Sequence, residues 1–432
     1  MFWIPGRIEF LGKHTDYAGG PSLVCAVERG FAVATLPRVD RRVHIYDACR
    51  GVTAEAELTP ELVVRQDHWS NYPLTVCRRI ARNFSGALHG VDLAFASDLP
   101  PAAGLSSSSA LIVATFLALG EVNDLPARAE YRSAIRDTED LAGYLGAVEN
   151  GSDFRGLTGD SGVGTQGGSE DHTAILCARA RALVQYAYVP IRLERAVPLP
   201  NDHVFVIAAS GVAAAKAGSA RDQYNRASAT AAAALDIWRV ATGSAAPTLA
   251  AALAESPDGI EQFRLVLEQR PELMARVEHF AVEAEIIRAA GDALAQGDLK
   301  LLGGLVDRSQ ATAERLLGNQ VKETIALARS AREVGAVAAS AFGAGYGGSV
   351  YALVEAADAD RFRRRWAAAY MQAFPSRGAD ASFFVTPAGP PASRVCATRQ
   401  ASCAGDQSIF RRAQRCKLSK FVTRVTAKTW TR

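Results

Sequence analysis

The order of hydrophobic and polar residues along the chain predicts strands in its first part and helices after them. Short β-branched runs separated by glycine turns are typical of strands. The predicted strands are residues 8–11, 22–27, 31–36, 42–46 and 91–95. Helical periodicity follows over residues 106–122 and 127–146. The stretch 151–168 is glycine-rich and polar, without the apolar periodicity of a strand or a helix, so it is predicted to be a loop.

A second block begins with a predicted strand at residues 203–209 and continues into a long alanine-rich region. Alanine and regularly spaced charges favour helix, so residues 221–334 are predicted to form several helices. Glycines at 343–348 then lead into a predicted strand at 349–354 and a helix at 358–374. The boundary between two domains is expected near residues 190–202. The predicted domains are residues 1–195 and 196–388, followed by a tail, 389–432.

Charge separates the tail from the body. Residues 389–432 contain ten Lys or Arg and one Asp, so with +3 overall the net charge of residues 1–388 is −6. A mildly acidic body does not suggest a nucleic-acid-binding protein. The tail has almost no apolar periodicity, and a disordered or artefactual extension is favoured over an RNA-binding or anionic-surface segment.

The cysteine and hydropathy patterns indicate a cytoplasmic protein. Seven scattered cysteines without a CxxC pair fit reduced thiols better than a disulfide framework. No signal segment is visible, and the longest apolar run, near residues 110–119, is too short to cross a bilayer. A monomer or weak dimer without membrane or nucleic-acid partners is expected.

A serine-rich helix start predicts a phosphate site. Pro100 and Pro101 end a strand, and four serines, Ser106 to Ser109, open an apolar helix. Unpaired N–H groups and the positive end of the helix dipole together bind anions. One serine would be explained as a helix cap, but four exceed what capping requires. The GxxxxGK[ST] pattern is absent, so this is not a P-loop.

Polar side chains also follow the first strand. The segment PGRIEFLGKHTDYAGG, residues 5–20, carries Arg7, His14 and Asp16 around a glycine turn. Polar groups on a turn held by a strand suit binding or catalysis better than core packing. A third glycine segment, 343–348, formally matches GxGxxG, but a strand follows it where a dinucleotide fold requires a helix, so a Rossmann domain is excluded.

All three segments resemble motifs of the galactokinases, a branch of the GHMP (galacto-, homoserine, mevalonate and phosphomevalonate) kinase superfamily. The resemblance covers about residues 3–388. It implies an α/β (α+β) protein with the two-domain GHMP kinase fold. The N-terminal α/β domain would carry the phosphate-binding loop, and the C-terminal domain would be ferredoxin-like with extra helices. The active site would lie between them, with ATP and Mg²⁺ as cofactors.

The resemblance assigns roles in nucleotide binding. Trp69 resembles a family element near the adenine, although core packing is an equal alternative for a lone Trp. Ser108 would also ligate Mg²⁺ together with Glu139 or Glu149, of which Glu139 is preferred. The residues expected to bind the ATP phosphates are Gly104, Leu105, Ser106, Ser107 and Ser108.

The same resemblance implies catalysis by Asp171 and Arg7. Phosphoryl transfer needs a group that orients or deprotonates the acceptor hydroxyl, and a carboxylate can do this. A nearby guanidinium keeps that carboxylate ionised. Asp171 falls at the position of the family's catalytic Asp, and Arg7 at that of the Arg beside it. For His172, packing against the loop that carries Asp171 and contact with a ligand are equal alternatives.

The acceptor is expected to be galactose or a related sugar. His14, Asp16, Gly168 and Tyr224 match positions that contact the sugar. Lys13 stands where galactokinases carry Glu, and Lys can only donate hydrogen bonds. Either the acceptor carries a carboxylate there, as a uronic acid does, or Lys13 pairs with an acidic side chain. Galactose is preferred because the other sugar-contacting positions are kept.

The sequence therefore predicts an ATP- and Mg²⁺-dependent sugar 1-kinase. A kinase for mevalonate or another small alcohol is disfavoured, because residues 14–17 match the galactokinase branch. A catalytically silent sensor of ATP and sugar is disfavoured because the serine loop, Arg7 and Asp171 are all present.

Overall fold

The computed structural model describes residues 1–66, 68–214 and 219–395. The strongly basic part of the predicted tail, from residue 396 onward, lies outside the described residues. The described chain forms a nine-stranded and a four-stranded sheet with helices packed on both. This is the expected mixed α/β architecture.

The larger sheet is built around the N-terminal strand β1 and the long strand β2. Every residue of β1 is buried, and β2 pairs with β1, β5, β6 and β12. Its principal strand order is β13-β1-β2-β5-β3-β4, with β6 pairing with β2 and β7 with β6. The strands are β1 Phe2–Leu11, β2 Pro21–Pro37, β3 Arg42–Asp47, β4 Val52–Glu57, β5 Val91–Ser97, β6 Ala182–Ala187, β7 Arg192–Pro198, and the short strands β12 Ala388–Gly389 and β13 Ser393–Arg394.

Five helices accompany this sheet. Helix α2 is almost entirely apolar and is buried along most of its length, because it lies between the sheet and the neighbouring helices. Its first residues, Ser107 and Ser108, line a cavity. The helices are α1 Asn71–Asn83, α2 Ser107–Val122, α3 Ala129–Ala134, α4 Thr138–Asn150 and α5 Glu170–Cys177.

The smaller sheet is antiparallel with the order β11-β8-β10-β9. Its strands are β8 His203–Ala209, β9 Ala338–Phe342, β10 Ser349–Glu355 and β11 Ser382–Thr386. Helices α11 and α12 cover one face through a core that includes Trp366 and Phe362. The helices of this half are α6 Ser219–Thr242, α7 Leu249–Ala254, α8 Gly259–Val266, α9 Pro271–Gln296, α10 Leu299–Thr312, α11 Lys322–Val334 and α12 Ala359–Ala373.

The two sheets meet at β1. The ring of Phe10 stacks on Tyr351 at 4.9 Å between centroids and lies 6.2 Å from Phe205. The Tyr351 hydroxyl also donates a hydrogen bond of 2.7 Å to the Phe10 carbonyl. Residues of both sheets thus belong to one apolar core, which fixes β1 against the C-terminal half.

Several predicted boundaries differ from the structure. The predicted strands 22–27 and 31–36 form one strand, because Gly30 does not make a turn. A Cβ there would lie 2.2 Å from the Ile4 carbonyl oxygen, so the glycine allows β1 to approach. The predicted helix 127–146 is divided into α3 and α4, and the Asp137 side chain caps α4 by accepting from the Asp140 N–H.

The start of the predicted tail is also different. Two short strands, β12 Ala388–Gly389 and β13 Ser393–Arg394, extend the large sheet by pairing with β2 and β1. Pairing of this kind uses backbone groups, so it leaves no apolar period in the sequence. The described part of segment 389–432 is therefore an ordered edge of the sheet, and the prediction of a disordered or artefactual segment was wrong for it.

No helix in the described ranges is long and apolar enough to cross a membrane. Cys25, Cys49, Cys77 and Cys177, the cysteines within these ranges, are all free thiols.

Candidate functional site

Two cavities meet at Arg7, between the sheets. The larger one, about 360 Å³, is lined by aromatic side chains, the serine loop and Ala344 of the third glycine segment. The smaller one is polar. Its lining residues are Arg7, Glu9, His14, Asp16, Glu149, Gly167, Gly168, Glu170, Asp171, Tyr224, Gly343 and Ala344.

The serine loop is shaped by two left-handed residues. Gly104 has φ +74°, and Ser106, which precedes α2, has φ +57°. These turns bring Gly104 and the hydroxyl-bearing residues Ser106, Ser107 and Ser108 to the wall of the larger cavity. The first N–H groups of α2 are thus available to an anion at this wall.

The remaining residue of the predicted phosphate set has a different place. Leu105 is 1% exposed and packs in the apolar core, and its carbonyl oxygen accepts from the Arg7 N–H at 3.2 Å. Its side chain therefore lies outside the cavity. Trp69 does line the cavity, 6.1 Å from the Phe95 ring. An aromatic wall of this kind offers a flat apolar surface to a base.

The third glycine segment lies beside the serine loop. The Ser349 hydroxyl donates a hydrogen bond of 2.6 Å to the Ala103 carbonyl, and a Cβ at Gly343 would lie 3.1 Å from the Gly104 carbonyl oxygen. The segment connects β9 to β10, with a strand on each side. This arrangement agrees with the exclusion of a Rossmann domain.

Arg7 connects the two cavities. Its guanidinium lies 2.6 Å from the Asp171 carboxylate and donates a hydrogen bond of 2.6 Å to the Gly104 carbonyl. Burial opposes the charge on Arg7, but Asp171 and Glu170 hold the pKa of the guanidinium above its ordinary value. Asp171 lies in the first turn of α5, where the helix dipole favours an anion.

Ser109, the fourth serine of the loop, to which the motif analysis gave no separate role, lies between two of the carboxylates of this region. Its hydroxyl lies 2.8 Å from the Glu149 carboxylate and 3.2 Å from that of Asp171. His172 is 1% exposed, and its Nε2 is 3.3 Å from Glu149. His172 is thus a packed neighbour of the loop, the first of the two roles considered for it.

Glu149, not the preferred Glu139, lines the smaller cavity. Glu139 lies at the opposite end of α4, where its carboxylate accepts from the Tyr186 hydroxyl at 3.5 Å. The preference for Glu139 as a metal ligand is therefore corrected. The two glutamates are nearly three helical turns apart, and the sequence did not fix which end of α4 faces the serine loop.

The expected sugar-contacting residues surround the smaller cavity. The Asp16 carboxylate accepts from the Glu170 N–H at 3.0 Å, and a Cβ on Gly168 would lie 2.3 Å from it, so only glycine fits there. His14 Nε2 lies 3.0 Å from the Ala344 carbonyl oxygen. The rings of His14 and Tyr224 are 5.1 Å apart.

Lys13 is the exception among the expected sugar contacts. It is 0% exposed, does not line either cavity, and its Nζ donates to the Ser309 hydroxyl at 3.3 Å. Ser309 in turn donates to Glu283 at 2.8 Å, and Glu283 also accepts from the Gly12 N–H at 2.9 Å. The predicted contact of Lys13 with substrate is corrected: its ammonium donates to Ser309, which links it to the Glu283 carboxylate.

Glu9 and Glu170 were missed by the motif analysis. Both line the smaller cavity, and each is 4% exposed. A signal was present in the sequence, because Glu9 interrupts the otherwise apolar residues 8–11, a buried strand. A carboxylate within such a strand is uncommon and points to a functional site.

Comparison with protein families gives three matches. Residues 4–37 match the galactokinase galactose-binding signature. Residues 71–153 match the GHMP kinases N-terminal domain, and residues 292–372 match the GHMP kinases C-terminal domain.

Individual relatives agree with these matches. The chain is 30% identical to a galactokinase of Roseiflexus sp. (strain RS-1), covering 90% of this chain and 92% of that one. It is 32% identical to a galactokinase of Chloroflexus aggregans, over 85% and 86%. A solved structure of Lactococcus lactis galactokinase complexed with galactose superposes with a TM-score of 0.75 at 24% identity, over 91% and 94%.

Proposed function

This chain belongs to the galactokinase family of GHMP kinases and is a sugar kinase, and from that membership we propose that it transfers the γ-phosphoryl group of ATP to the anomeric C1 hydroxyl of galactose. The observation that carries the proposal is the contact of Arg7 with both Asp171 and Gly104. It joins a candidate base to the wall of a cavity suited to phosphates.

The larger cavity is assigned to ATP. Its volume of about 360 Å³ is in the range of ligand pockets, and it has an aromatic wall at one side and the start of α2 at the other. The base would lie near Trp69. The phosphates would lie against the N–H groups and hydroxyls that begin at Gly104.

The smaller cavity is assigned to the sugar. We assign Asp171 the task of accepting or orienting the proton of the C1 hydroxyl, and Arg7 the task of keeping Asp171 ionised. Arg7 also offsets negative charge on the transferred phosphoryl group. His14, Asp16 and Tyr224 present directed polar partners for the other hydroxyls.

We assign Mg²⁺ to the region beside Arg7, which lines both cavities. The Ser108 hydroxyl and the Glu149 carboxylate are oxygen donors of the kind that Mg²⁺ prefers, and they are the residues that would hold it. Among the described residues no three His, Cys, Asp or Glu side chains form a metal cluster. A site completed by substrate phosphates agrees with this. When bound, Mg²⁺ neutralises charge on the phosphates.

A uronic acid is a poor candidate for the acceptor. The argument for it depended on Lys13, whose ammonium donates to Ser309, which in turn donates to Glu283. Among the described residues Arg7 is the one Lys or Arg that lines the smaller cavity, and it already pairs with Asp171, so the cavity offers a uronate no second cation. We therefore retain galactose as the acceptor.

The test is ADP release by the full chain with MgATP and galactose, comparing wild type with Asp171→Asn. The exposed Asp292→Asn is the matched control, since Asp292 lies at the surface, where it pairs with Arg195. Wild type and control should turn over galactose, and Asp171→Asn should be slower by about 10²–10⁴-fold. No galactose turnover by wild type would overturn the proposed function. Loss of less than tenfold in Asp171→Asn would overturn the role of Asp171.

A further inference from the structure

A buried arginine on helix α9 reaches the polar turn that follows β1. Arg276 is 3% exposed and lines neither of the two cavities. Its guanidinium donates hydrogen bonds to the His14 carbonyl, to the Tyr17 hydroxyl at 3.1 Å and to His279 Nδ1 at 3.1 Å. One side chain outside the cavities therefore contacts two residues of the proposed sugar-binding turn.

The partners of Arg276 are uncharged groups. Burial, followed by the charge of Arg276, lowers the pKa of His279 well below its ordinary value, so His279 is neutral. Burial raises the pKa of the Tyr17 hydroxyl to about 12, so Tyr17 also carries no charge. Burying a guanidinium among neutral groups is unfavourable, and the Nε of Arg276 has no acceptor in the described part of the chain. A charge kept at such a cost points to a task in positioning its neighbours.

The first group that Arg276 positions is the backbone of His14. His14 has φ +60°, a left-handed conformation that is costly for a residue with a side chain and persists only where its surroundings hold it. The hydrogen bond from Arg276 to the His14 carbonyl comes from a distant part of the chain and supplies such a hold. The turn thus keeps the shape that brings His14 to the smaller cavity.

The second group is the ring of His14, which Arg276 reaches through Tyr17. A guanidinium can only donate, so the Tyr17 oxygen accepts from Arg276, and its own proton is left for His14 Nδ1 at 3.0 Å. On the other side of the ring, Nε2 lies 3.0 Å from the Ala344 carbonyl oxygen, which can only accept. Both contacts require the same form of His14, without a proton on Nδ1 and with one on Nε2.

We propose that Arg276 is a positioning residue of the sugar site, which acts through Tyr17 to present His14 as a hydrogen-bond donor at Nε2. This inference rests on the proposed function and deepens it. Most of the polar side chains that line the smaller cavity are carboxyl groups, which accept hydrogen bonds when ionised. A sugar hydroxyl can donate to a carboxylate and accept from His14 at the same time. With its proton on Nδ1, His14 would offer that hydroxyl only a further acceptor.

The kinetic test uses the full chain with galactose and MgATP. Arg276→Met should raise KM for galactose at least tenfold and keep KM for ATP and kcat within threefold, because a contact made both before and during phosphoryl transfer affects KM alone. Tyr17→Phe, which keeps the ring, should raise KM for galactose at least threefold. The matched control is Arg288→Met, since Arg288 is an exposed arginine on the same helix, and it should keep both KM values within twofold of wild type.

Coupling with His14 separates this role from a purely structural one. If Arg276 acts through His14, then Arg276→Met introduced into His14→Gln should raise KM for galactose no more than twofold further. A general loosening of the protein would instead produce the same loss in both backgrounds.

The proton on His14 can be located directly by ¹⁵N–¹H correlation NMR of histidine-labelled protein without sugar. The variant His14→Gln identifies the His14 signals among those of the seven histidines. In wild type we expect a protonated Nε2 and an Nδ1 with the chemical shift of a nitrogen that accepts a hydrogen bond. In Tyr17→Phe, the Nδ1 signal should move to the chemical shift of a nitrogen without a donor.

Four results would overturn the inference. A proton on Nδ1 of His14 in wild type is the first, and this measurement does not depend on how the variants fold. The others are an unchanged Nδ1 chemical shift in Tyr17→Phe, a KM for galactose within twofold of wild type in Arg276→Met, and additive effects of Arg276→Met and His14→Gln. Failure of the proposed function would appear as no turnover of galactose by wild type, and since the NMR measurement uses no sugar, the two failures are distinguishable.

Discussion

Replacing Lys13 should change the stability of the protein much more than its affinity for sugar. The Lys13 ammonium is fully buried and donates to Ser309, which donates to Glu283. Lys13→Met keeps most of the apolar packing but removes a hydrogen bond from a charged group, a loss of about 1.5–3 kcal/mol. Lys13→Glu also places a new carboxylate in this acidic region, which should cost about 3–5 kcal/mol.

The assay is thermal unfolding of the full chain, followed by circular dichroism. A loss of 3–5 kcal/mol corresponds to a decrease in Tm of roughly 10 °C for a protein with domains of this size. The exposed Lys300, on the neighbouring helix α10, provides the control Lys300→Met, which should shift Tm by less than 2 °C. The charge-swapped variant Lys13→Glu/Glu283→Lys should recover at least half of the lost Tm, because the opposite charges are again adjacent.

The same proteins provide the kinetic part of the experiment. Lys13 does not line the smaller cavity, so Lys13→Met should keep KM for galactose within threefold of wild type and should not change the preference for galactose over galacturonate. A Tm within 2 °C of wild type for Lys13→Glu would refute the assignment of Lys13 to a buried network. A loss of galacturonate turnover alone in Lys13→Met would restore the idea that Lys13 contacts the acceptor.

Three further predictions concern the two cavities. In a Mg²⁺ titration of ADP release, Glu149→Gln should raise the Mg²⁺ concentration needed for half-maximal rate at least tenfold. Glu139→Gln is the control and should leave that concentration unchanged, because Glu139 lies outside both cavities. Equal effects of the two variants would contradict the choice of Glu149. Trp69→Ala should raise KM for ATP about tenfold with little change in KM for galactose, since stacking of a base on an aromatic ring contributes about 1–3 kcal/mol. An unchanged KM for ATP would mean that Trp69 only packs against its neighbours. Burial raises the pKa of Glu9 from 4.5 to about 8, so between these pH values the native state keeps a proton that the unfolded chain has released. The free energy of unfolding therefore falls as the pH rises from 4.5 to 8. Wild type should therefore lose Tm relative to Glu9→Gln between pH 5 and pH 8.5, and parallel curves would contradict the burial argument.

The sequence predicted those parts of the fold and site that depend on local patterns. The serine-rich start of α2 and the polar turn after β1 were recognised because helix starts and glycine turns have local chemistry. The strands 203–209 and 349–354 were predicted from β-branched runs. Position 30 was misjudged, because a glycine that admits a neighbouring backbone looks the same in sequence as a glycine that makes a turn.

The errors within the site have a common physical cause. Whether Glu139 or Glu149 faces the serine loop depends on how α4 packs against α2, which is a tertiary fact. Lys13 was expected to face the sugar because it stands at the position of a sugar-contacting Glu in galactokinases. A left-handed backbone at His14, with φ +60°, follows Lys13 and breaks any simple alternation of the two side chains. Glu9 was overlooked because the motif of residues 5–20 was not used to assign it a role, although its place in a buried strand carried the information.

The contacts of Arg7 have a consequence for the order and strength of substrate binding. One guanidinium touches the carbonyl of Gly104 in the proposed nucleotide cavity and the carboxylate of Asp171 in the proposed sugar cavity. Any movement of the serine loop around a nucleotide therefore acts on the group beside the sugar. Thermodynamic linkage then requires that ATP change the dissociation constant for galactose by the same factor by which galactose changes that for ATP. Calorimetric titration of each ligand in the presence and absence of the other would measure this factor, and Arg7→Met should bring it to one.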